Sequence, residues 1–489
     1  MTTTTSATGS ITSLGVGTNG LDLNSIISGL MAAESAPLTI LQKQASSINT
    51  QISAVGRINS LADTFGDKAA ALASSTFWKQ TVGSTSDGTV VTADTSSGNA
   101  VPGTYTVKTT QLAMSQTATA AAVPTDASVV GSGTMTLQLG TWSGTSFTAK
   151  DGSGPVSITI DPSSDTLANI RDKINGAGAG VTASIITDAT GARLSIRSTD
   201  TGEANGFKIT TAEDNDDGNP ATGLSSLTYD PSQPNSQMAL NQKAQNALAN
   251  VNGIDIVSAS NTLKNISDGL SLTLMKDNST ATVTVASDTA SMTKAINDFV
   301  SAYNALNAEM HTDTKYDPSV ANDQGTSRVD GPLQGDPSII SFQNQLKGIF
   351  NTTSTTSSMY SRLSDIGITM QKDGSLSTDS TKLTAALANP GELQKLFSTQ
   401  GTTPANTGIM VRFSALTTQA LGLDGVLSTR NKGLQDQLSR NTQNQSDMQD
   451  HLDQTQARLT KQYQALDTTM SQMSALSSYV SQQVALMEK

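Results

Sequence analysis

LQDQLSRNTQNQSDMQDHLDQTQARLTKQYQALDTTMSQMSALSSYVSQQVALMEK, residues 434–489, holds neither Gly nor Pro, and its apolar residues recur three and four apart. Leu434, Leu438, Met448, Leu452, Leu459, Tyr463, Leu466, Met470, Met473, Leu476, Val480 and Val484 therefore line one edge of a single helix. At a rise of ~1.5 Å per residue such a helix reaches roughly 80 Å. Asn441, Gln445 and Thr455 stand where that edge calls for apolar side chains. Polar residues in a coiled-coil seam weaken it while fixing register and partner number. A narrow apolar edge with sparse charge does not hold a long helix alone in water. The stretch requires a partner.

The same spacing reappears near the other end of the chain, in Leu38, Leu41, Ala45, Ile48, Ile52, Val55, Asn59, Ala62, Phe65, Ala69 and Leu72. Pro37 suits the first turn of that helix, where its missing N–H costs nothing. Upstream, Asp22 is placed to cap a shorter helix whose apolar face is Ile26, Ile27, Leu30 and Met31. The expected assembly interface thus comprises Ile26, Ile27, Leu30, Leu38, Leu41, Ile48, Ile52 and Val55 from one terminus. From the other it takes Leu438, Met448, Leu452, Leu459, Tyr463, Leu466, Met470 and Met473. The alternative is that both seams are core faces of a globular bundle.

At 489 residues the chain has room for about three domains. Charged residues make up 14% and aromatics 4%, with Ser, Thr, Asn, Gln, Ala and Gly filling the difference. The net charge of −12 is spread thinly and no basic run occurs, which excludes a nucleic-acid partner and disfavours an anionic membrane surface. Cysteine is absent, so neither disulfides nor thiol chemistry enter. Residues 1–13 are rich in Thr and Ser without a basic or an apolar block, unlike a cleaved secretory signal. No window approaches the ~20 apolar residues of a membrane span. If exported, this chain leaves by a route that needs no cleaved signal.

Between the terminal helices the period changes. Short alternating runs over 80–114, 135–139, 156–160, 181–187, 192–198, 254–257, 270–275 and 281–286 read as strands, with one helix at 167–175. Lys276-Asp277-Asn278 is expected to turn a hairpin between the last two runs, and 213–236 to be a mobile loop. Helices return at 289–311, with the face Met292, Ile296, Phe299, Tyr303, Leu306 and Met310, and after Asp336-Pro337, with Ile339, Ile340, Leu346, Ile349 and Phe350 buried. The predicted fold is α+β and multidomain. Long terminal helices form a coiled-coil or helical-bundle stalk carrying two inserted β-rich heads. Residues 1–42 with 431–489 are the terminal helical domain, and 43–78 with 288–430 a helical leg. Residues 79–133 with 233–287 form one head, and 134–232 an outer head.

Catalytic chemistry finds little support. His311 and His451 sit at helical spacing among polar residues and read as solvated. Gly176-Ala-Gly178-Ala-Gly180 follows a helix and precedes a strand, the reverse of the dinucleotide-binding order, and reads as a turn. Glu213-Asp-Asn215-Asp-Asp217-Gly218 opens like a calcium loop, but Leu224 occupies the place of the bidentate Glu. Ser291-Met-Thr-Lys294 fits Ser-x-x-Lys without a companion motif. No cofactor, no metal and no enzymatic activity are expected.

Several stretches resemble a known family. Gly20-Leu-Asp22-Leu-Asn-Ser-Ile26-Ile27-Ser-Gly-Leu30-Met31-Ala-Ala-Glu34 followed by Ala36-Pro37-Leu38 is similar to the N-terminal signature of the flagellar filament cap family, hook-associated protein 2. Residues 458–473 resemble its C-terminal signature. Residues 158–184 and 251–304, together with Leu363-Ser-Asp-Ile-Gly-Ile368, Asp373-Gly374 and Leu376, resemble elements shared by flagellins and hook-associated proteins. The resemblance implies a homo-oligomeric ring, a pentamer, at the distal tip of the bacterial flagellum and outside the cell. It implies flagellin and hook-associated junction proteins as partners, and a cytosolic export chaperone on the C-terminal helix. It also implies type III export without a cleaved signal peptide, and no membrane insertion. A secreted adhesin with a β-rich glycan-binding head, and a hook–filament junction protein, are the alternatives.

Overall fold

The terminal helices bracket the chain, and the β-strands lie between them. The computed structural model describes residues 23–96, 100–316 and 330–487. Asp22 and the Thr-rich lead fall outside the described residues. Helices α1 (Leu23–Glu34) and α2 (Ala36–Ala73) precede strands β1 (Thr81–Thr85), β2 (Val91–Asp94), β3 (Gly103–Gln111) and β4 (Thr117–Thr119). Next come β5 (Gly133–Ser143), β6 (Ser146–Ala149), β7 (Val156–Ile160), α3 (Leu167–Gly176), β8 (Val181–Asp188), β9 (Gly191–Ser198) and β10 (Gly206–Glu213). The series β11 (Ala239–Gln242), β12 (Ala247–Val251), β13 (Ile254–Ser258), β14 (Thr262–Ser267), β15 (Leu270–Leu274) and β16 (Ser279–Ser287) follows. Then α4 (Thr289–Thr314) and α5 (Pro337–Asn351) lead to a small hairpin, β17 (Ile368–Met370) and β18 (Leu376–Thr378). The chain closes with α6 (Ser380–Leu387), α7 (Pro390–Ser398), α8 (Ile409–Leu421) and α9 (Val426–Met487). Two units result, Met1–Ser75 with Thr293–Lys489 and Thr76–Met292.

The strand unit contains two apolar cores. In the first, a five-stranded sheet ordered β1-β16-β3-β12-β13 and a three-stranded sheet β14-β15-β2 share buried Val91, Val107, Leu272 and Val283. In the second, β10-β5-β6 with β7 on β5, and β11-β4-β9-β8, enclose Leu137, Ile158, Leu194 and Phe207 together with Ile170 of α3. Ala118, Ala120, Val130 and Met238 belong to this second core, which therefore begins before residue 134 and ends after 232.

Two expectations need correction here. Residues 270–275 and 281–286 do not form a hairpin: β15 pairs with β14 and β2, whereas β16 pairs with β1 and β3. Leu270, Leu272 and Leu274 and also Ala281, Val283 and Val285 are buried in one core, so the connecting residues carry the chain from one sheet to the other. Asn278 sits in the left-handed region at φ 47° in that arch. The segment 213–236 is not wholly a loop either. Leu224, Leu227 and Tyr229 are buried, and the backbones of Tyr229 and Ile209 exchange two hydrogen bonds of 2.9 and 3.0 Å.

The helical unit is built around a ring cluster. Phe65 of α2 lies 5.1 Å from Phe299 of α4 and 5.5 Å from Phe413 of α8, and Phe350 of α5 lies 4.8 Å from Phe413. Offset and edge contacts of this kind contribute beyond area burial. All six residues predicted for the α4 face are buried, and Asp288 accepts from the Ser291 N–H as the expected cap. Asp336 caps α5, but Ile340 is exposed and Ile349 and Phe350 are only half-buried; Phe342 joins Ile339 and Leu346 on the buried face. Gly66 serves close packing, because a Cβ there would stand 2.5 Å from Thr417 Oγ1 on α8.

Side-chain amides complete backbone pairing at four places. Asn304 donates to Leu376 O at 2.9 Å and accepts from Leu376 N at 2.7 Å. Asn261 does the same with Ala113, Asn175 with Ala183, and Gln116 with Phe207. Each amide presents one donor and one acceptor, as a neighbouring strand would.

Asn304→Ala leaves both backbone groups of buried Leu376 without partners. It is expected to cost about 1–3 kcal/mol, read as a lower urea midpoint for the helical unit. A second test concerns pH. Glu392 accepts from Lys395, from the Ser357 hydroxyl and from Ser358, which hold its carboxyl down to about 2 from an ordinary 4.5. A depressed carboxyl stabilises fully above its ordinary value and loses that contribution as pH falls toward 2. Thermal midpoints of the intact chain should therefore drop between roughly pH 4.5 and 2, and Glu392→Gln should flatten that part of the profile.

Candidate assembly interface

Helix α9 runs for 62 residues, roughly 93 Å at ~1.5 Å per residue, and starts before residue 434. Its root is fixed in the helical unit. Leu427 and Leu434 are fully buried, and Arg430 Nε donates to Asp336 Oδ2 at 2.5 Å. Asp336 thereby caps α5 and holds the rod with the same carboxylate. An Arg–carboxylate pair with one partner this deeply covered is worth more than a surface ion pair.

Beyond the root, α9 packs on α2 and then on α1. The pair is antiparallel: residues 44–51 flank 437–444, and residues 37–41 flank 444–451. The three polar seam residues lie where the spacing placed them. Asn441 and Thr455 are buried and Gln445 is half-buried. Asn441 Nδ2 reaches Gln44 Oε1 across the helix pair at 3.4 Å, and its Oδ1 accepts from Gln445 Nε2 at 2.6 Å. The amides satisfy one another, so the layer costs less than an unpaired polar group would.

Of the expected interface residues, Ile48, Val55 and Leu452 are buried. Ile26, Ile27, Leu38, Leu41, Ile52, Leu438, Met448, Leu459 and Tyr463 are half-buried. Leu30, Leu466, Met470 and Met473 face solvent, with Leu466 at 45% and Met473 at 67% exposure. The apolar edge continues uncovered through Leu476, Val480 and Val484. Two contributors escaped the sequence reading. Ile58, not Asn59, is the fully buried residue on α2, and the run Val55, Ile58, Ala62, Phe65 carried that signal. Gln44 has no signal in the spacing; it matters only as the complement of Asn441.

Of the remaining motifs, His451 lies on α9 beside α2 and the others sit elsewhere. His311 and His451 are exposed, and Lys294 pairs with Asp298 at 2.8 Å on the surface of α4. Glu213, Asp216 and Asp217 bring carboxylate oxygens within 4.8 Å of one another, while Leu224 is buried in the core. Gly178 and Gly180 adopt φ of 63° and 70° in the turn between α3 and β8. Among the described residues no helix is long and apolar enough to cross a membrane.

Comparison with known proteins bears on this arrangement. Residues 19–116 match the family described as flagellar hook-associated protein 2 N-terminus, and 244–475 that described as flagellar hook-associated protein 2 C-terminus. Residues 146–200 match the flagellin hook IN motif. The chain is 34% identical to a flagellar hook-associated protein 2 of Escherichia coli (strain K12), over 97% of this chain and 98% of the relative. It is 32% identical to one of Salmonella typhimurium, over 98% and 99%. The solved D1-D2-D3 domains of the flagellar cap protein FliD from Escherichia coli superpose with a TM-score of 0.61 at 31% identity, covering 78% of this chain and 99% of that one.

Replacing both Asn441 and Gln44 by Leu removes the polar layer without stranding a partner across the helix pair. The double variant is expected to gain about 1 kcal/mol in the stability of the α2–α9 pairing, measured by urea unfolding. Asn441→Leu alone should gain nearly as much, because exposed Gln44 bonds water in place of Asn441.

Proposed function

The chain belongs to the flagellar hook-associated protein 2 family, and from that premise we propose that it caps the distal end of the bacterial flagellum. There it promotes folding and insertion of exported flagellin into the growing filament. It acts as a structural protein, by binding and release of chains. The observation that carries the reading is the edge of α9, covered by α1 and α2 as far as Tyr463 and open from Leu466 to Val484. A heptad edge of that length takes its cover from neighbouring helices.

In the assembled cap the cover comes from other copies of the same chain in a closed ring, a pentamer. Of the residues named above, Leu30, Leu466, Met470 and Met473 are the ones left open to meet a neighbour, whereas Ile48, Val55 and Leu452 are already covered where α2 and α9 pair. Before export, the same open edge is the surface that a cytosolic chaperone holds, and hook-associated junction proteins seat the first cap. Export proceeds without a cleaved signal peptide to the extracellular tip. A helix that orders fully only on assembly suits passage through a narrow exporter, since coupled folding and binding leaves it pliant beforehand.

The buried rings of the heads weigh against a glycan-binding adhesin. Trp142, Phe207 and Tyr229 lie in the second core, and Phe147 is half-buried against it. Among the described residues the strand unit thus presents no exposed aromatic face on which a sugar ring could stack. Similarity to cap relatives over nearly the whole chain favours the cap over a junction protein.

Deleting the gene should leave cells without filaments and release unpolymerised flagellin into the medium. Complementation with a chain ending at Tyr463 should fail, although the helical unit folds. Normal filaments in the deletion strain would contradict the assignment.

A further inference from the structure

A strand at the end of a sheet leaves a row of backbone N–H and C=O groups unpaired, and folded chains blunt such edges with bulges, charges or covering residues. In the first core three of the four sheet edges are treated in this way. β1 and β2 close one another: Thr95 Oγ1, just after β2, donates to Thr81 O of β1 at 2.7 Å, and a Cβ on Gly83 would stand 2.7 Å from Ala93 Cβ. β14 loses its register between Leu263 and Ser267, where Lys264 is exposed and Asn265 takes φ 53°. The fourth edge is left open. β13 pairs with β12 in unbroken register, ends the five-stranded sheet, and has no strand on its other side.

The turn fixes which groups are free. Asn252 and Gly253 join β12 to β13 with φ of 53° and 87°, the signs of a type I′ turn. In a two-residue hairpin Val251 and Ile254 are the closing hydrogen-bonded pair, and such pairs alternate along the ladder. Ala249 with Ile256, and Ala247 with Ser258, are therefore the next ones. Asp255 and Val257 aim their N–H and C=O groups off the edge, and among the described residues no backbone group meets them there. The side chains are as open as the backbone. Among the described strand residues no large apolar side chain is more exposed than Ile254, at 68%, and Val257, at 65%. The two lie on opposite faces, Val257 opposite exposed Leu248, and Ile254 on the side of half-buried Ile256. Asp255, the one charge on β13, is tied to Asn250 Nδ2 at 2.7 Å and does not cover the edge.

We propose, on the basis of the capping function inferred above, that β13 holds the incoming flagellin by taking an extended segment of that chain as a sixth strand. Unpaired groups on alternate residues are satisfied by an extended backbone and not by a helix or a folded surface. Apolar side chains on both faces of the edge favour a segment that is apolar at consecutive positions. A second copy of this chain is excluded as the occupant by the same geometry. Copies in a ring meet through two different surfaces, and β1, the other edge of this sheet, is already closed. An exported flagellin, by contrast, reaches the tip with its backbone groups still unpaired. Holding by backbone bonds also supplies the release, because those groups leave β13 as the segment finds partners in its own fold.

Val257→Pro removes one outward N–H and spares the bonds to β12, since Pro is tolerated on an edge strand where its nitrogen faces solvent. In cells whose only copy carries this variant, flagellin released into the medium should rise several-fold and filaments should shorten, while the urea midpoint of the purified full-length chain stays unchanged. Filaments of ordinary length with no extra release would overturn the proposal. Because the chain has no cysteine, Val257→Cys carrying a photoreactive cross-linker gives a readout that does not depend on the proline variant folding. Irradiation of secreting cells should join it to flagellin, and the same label at Thr104→Cys, exposed on β3 inside the sheet, should give far less. A product with another copy of this chain alone, equal products from both positions, or no product would each overturn the proposal. A deletion strain that spills flagellin beside a Val257→Pro strain that grows normally removes this site and leaves the capping function standing, whereas normal filaments in the deletion strain remove both.

Discussion

The packing of α2 against α9 is the constraint on which the rest of the molecule depends. Gln44 and Asn441, 397 positions apart, meet across that pair. Neither helix has an apolar edge wide enough to hold it alone, so beyond the root each is ordered by the other. Everything between them is a closed excursion from this pair. Closing so long a loop is entropically costly but only logarithmically so, and the ring cluster around Phe65, Phe299 and Phe413 anchors the pair at its root. Stability is therefore graded along α9. Its first turns are fixed by Leu427, Arg430 and Leu434, its middle by a half-polar seam, and its last turns by nothing among the described residues.

A second theme is how a chain with few charges and few aromatics specifies its contacts. Charged residues are 14% of the sequence and aromatics 4%, and amide side chains do much of what ion pairs and rings do elsewhere. Asn304, Asn261, Asn175 and Gln116 each pair with both backbone groups of a distant residue. The Gln44–Asn441–Gln445 layer repeats the device between helices. Neutral hydrogen bonds are weaker individually than charged ones, but their geometry is directional and independent of salt.

What could be read from the sequence followed from period. The α4 face was legible because all six of its apolar positions are buried at helical spacing, and the strand Val156–Ile160 because its apolar residues alternate with polar ones. Two kinds of residue resisted. Leu270–Met275 and Ala281–Ala286 looked like a hairpin, since adjacent alternating runs joined by a short polar turn usually are one. Only the sharing of one core by Leu272 and Val283 reveals the arch. Leu224, Leu227 and Tyr229 were hidden in a stretch of Asp, Asn, Pro and Gly, where composition outweighed three well-spaced apolar residues. At the candidate interface the seam was legible but its coverage was not. The pattern of Leu466 and Met473 is the same as that of Leu452, and which of them finds a partner within the chain depends on the reach of α1 and α2.

That gradient is the central physical claim, and amide hydrogen exchange along α9 tests it most directly. In dilute monomer, protection should be strong through residues 426–459 and fall away over 466–487, then rise across that distal stretch when the protein is concentrated enough to assemble. A distal stretch already as protected in the dilute monomer as the root, with no change on assembly, would contradict the account.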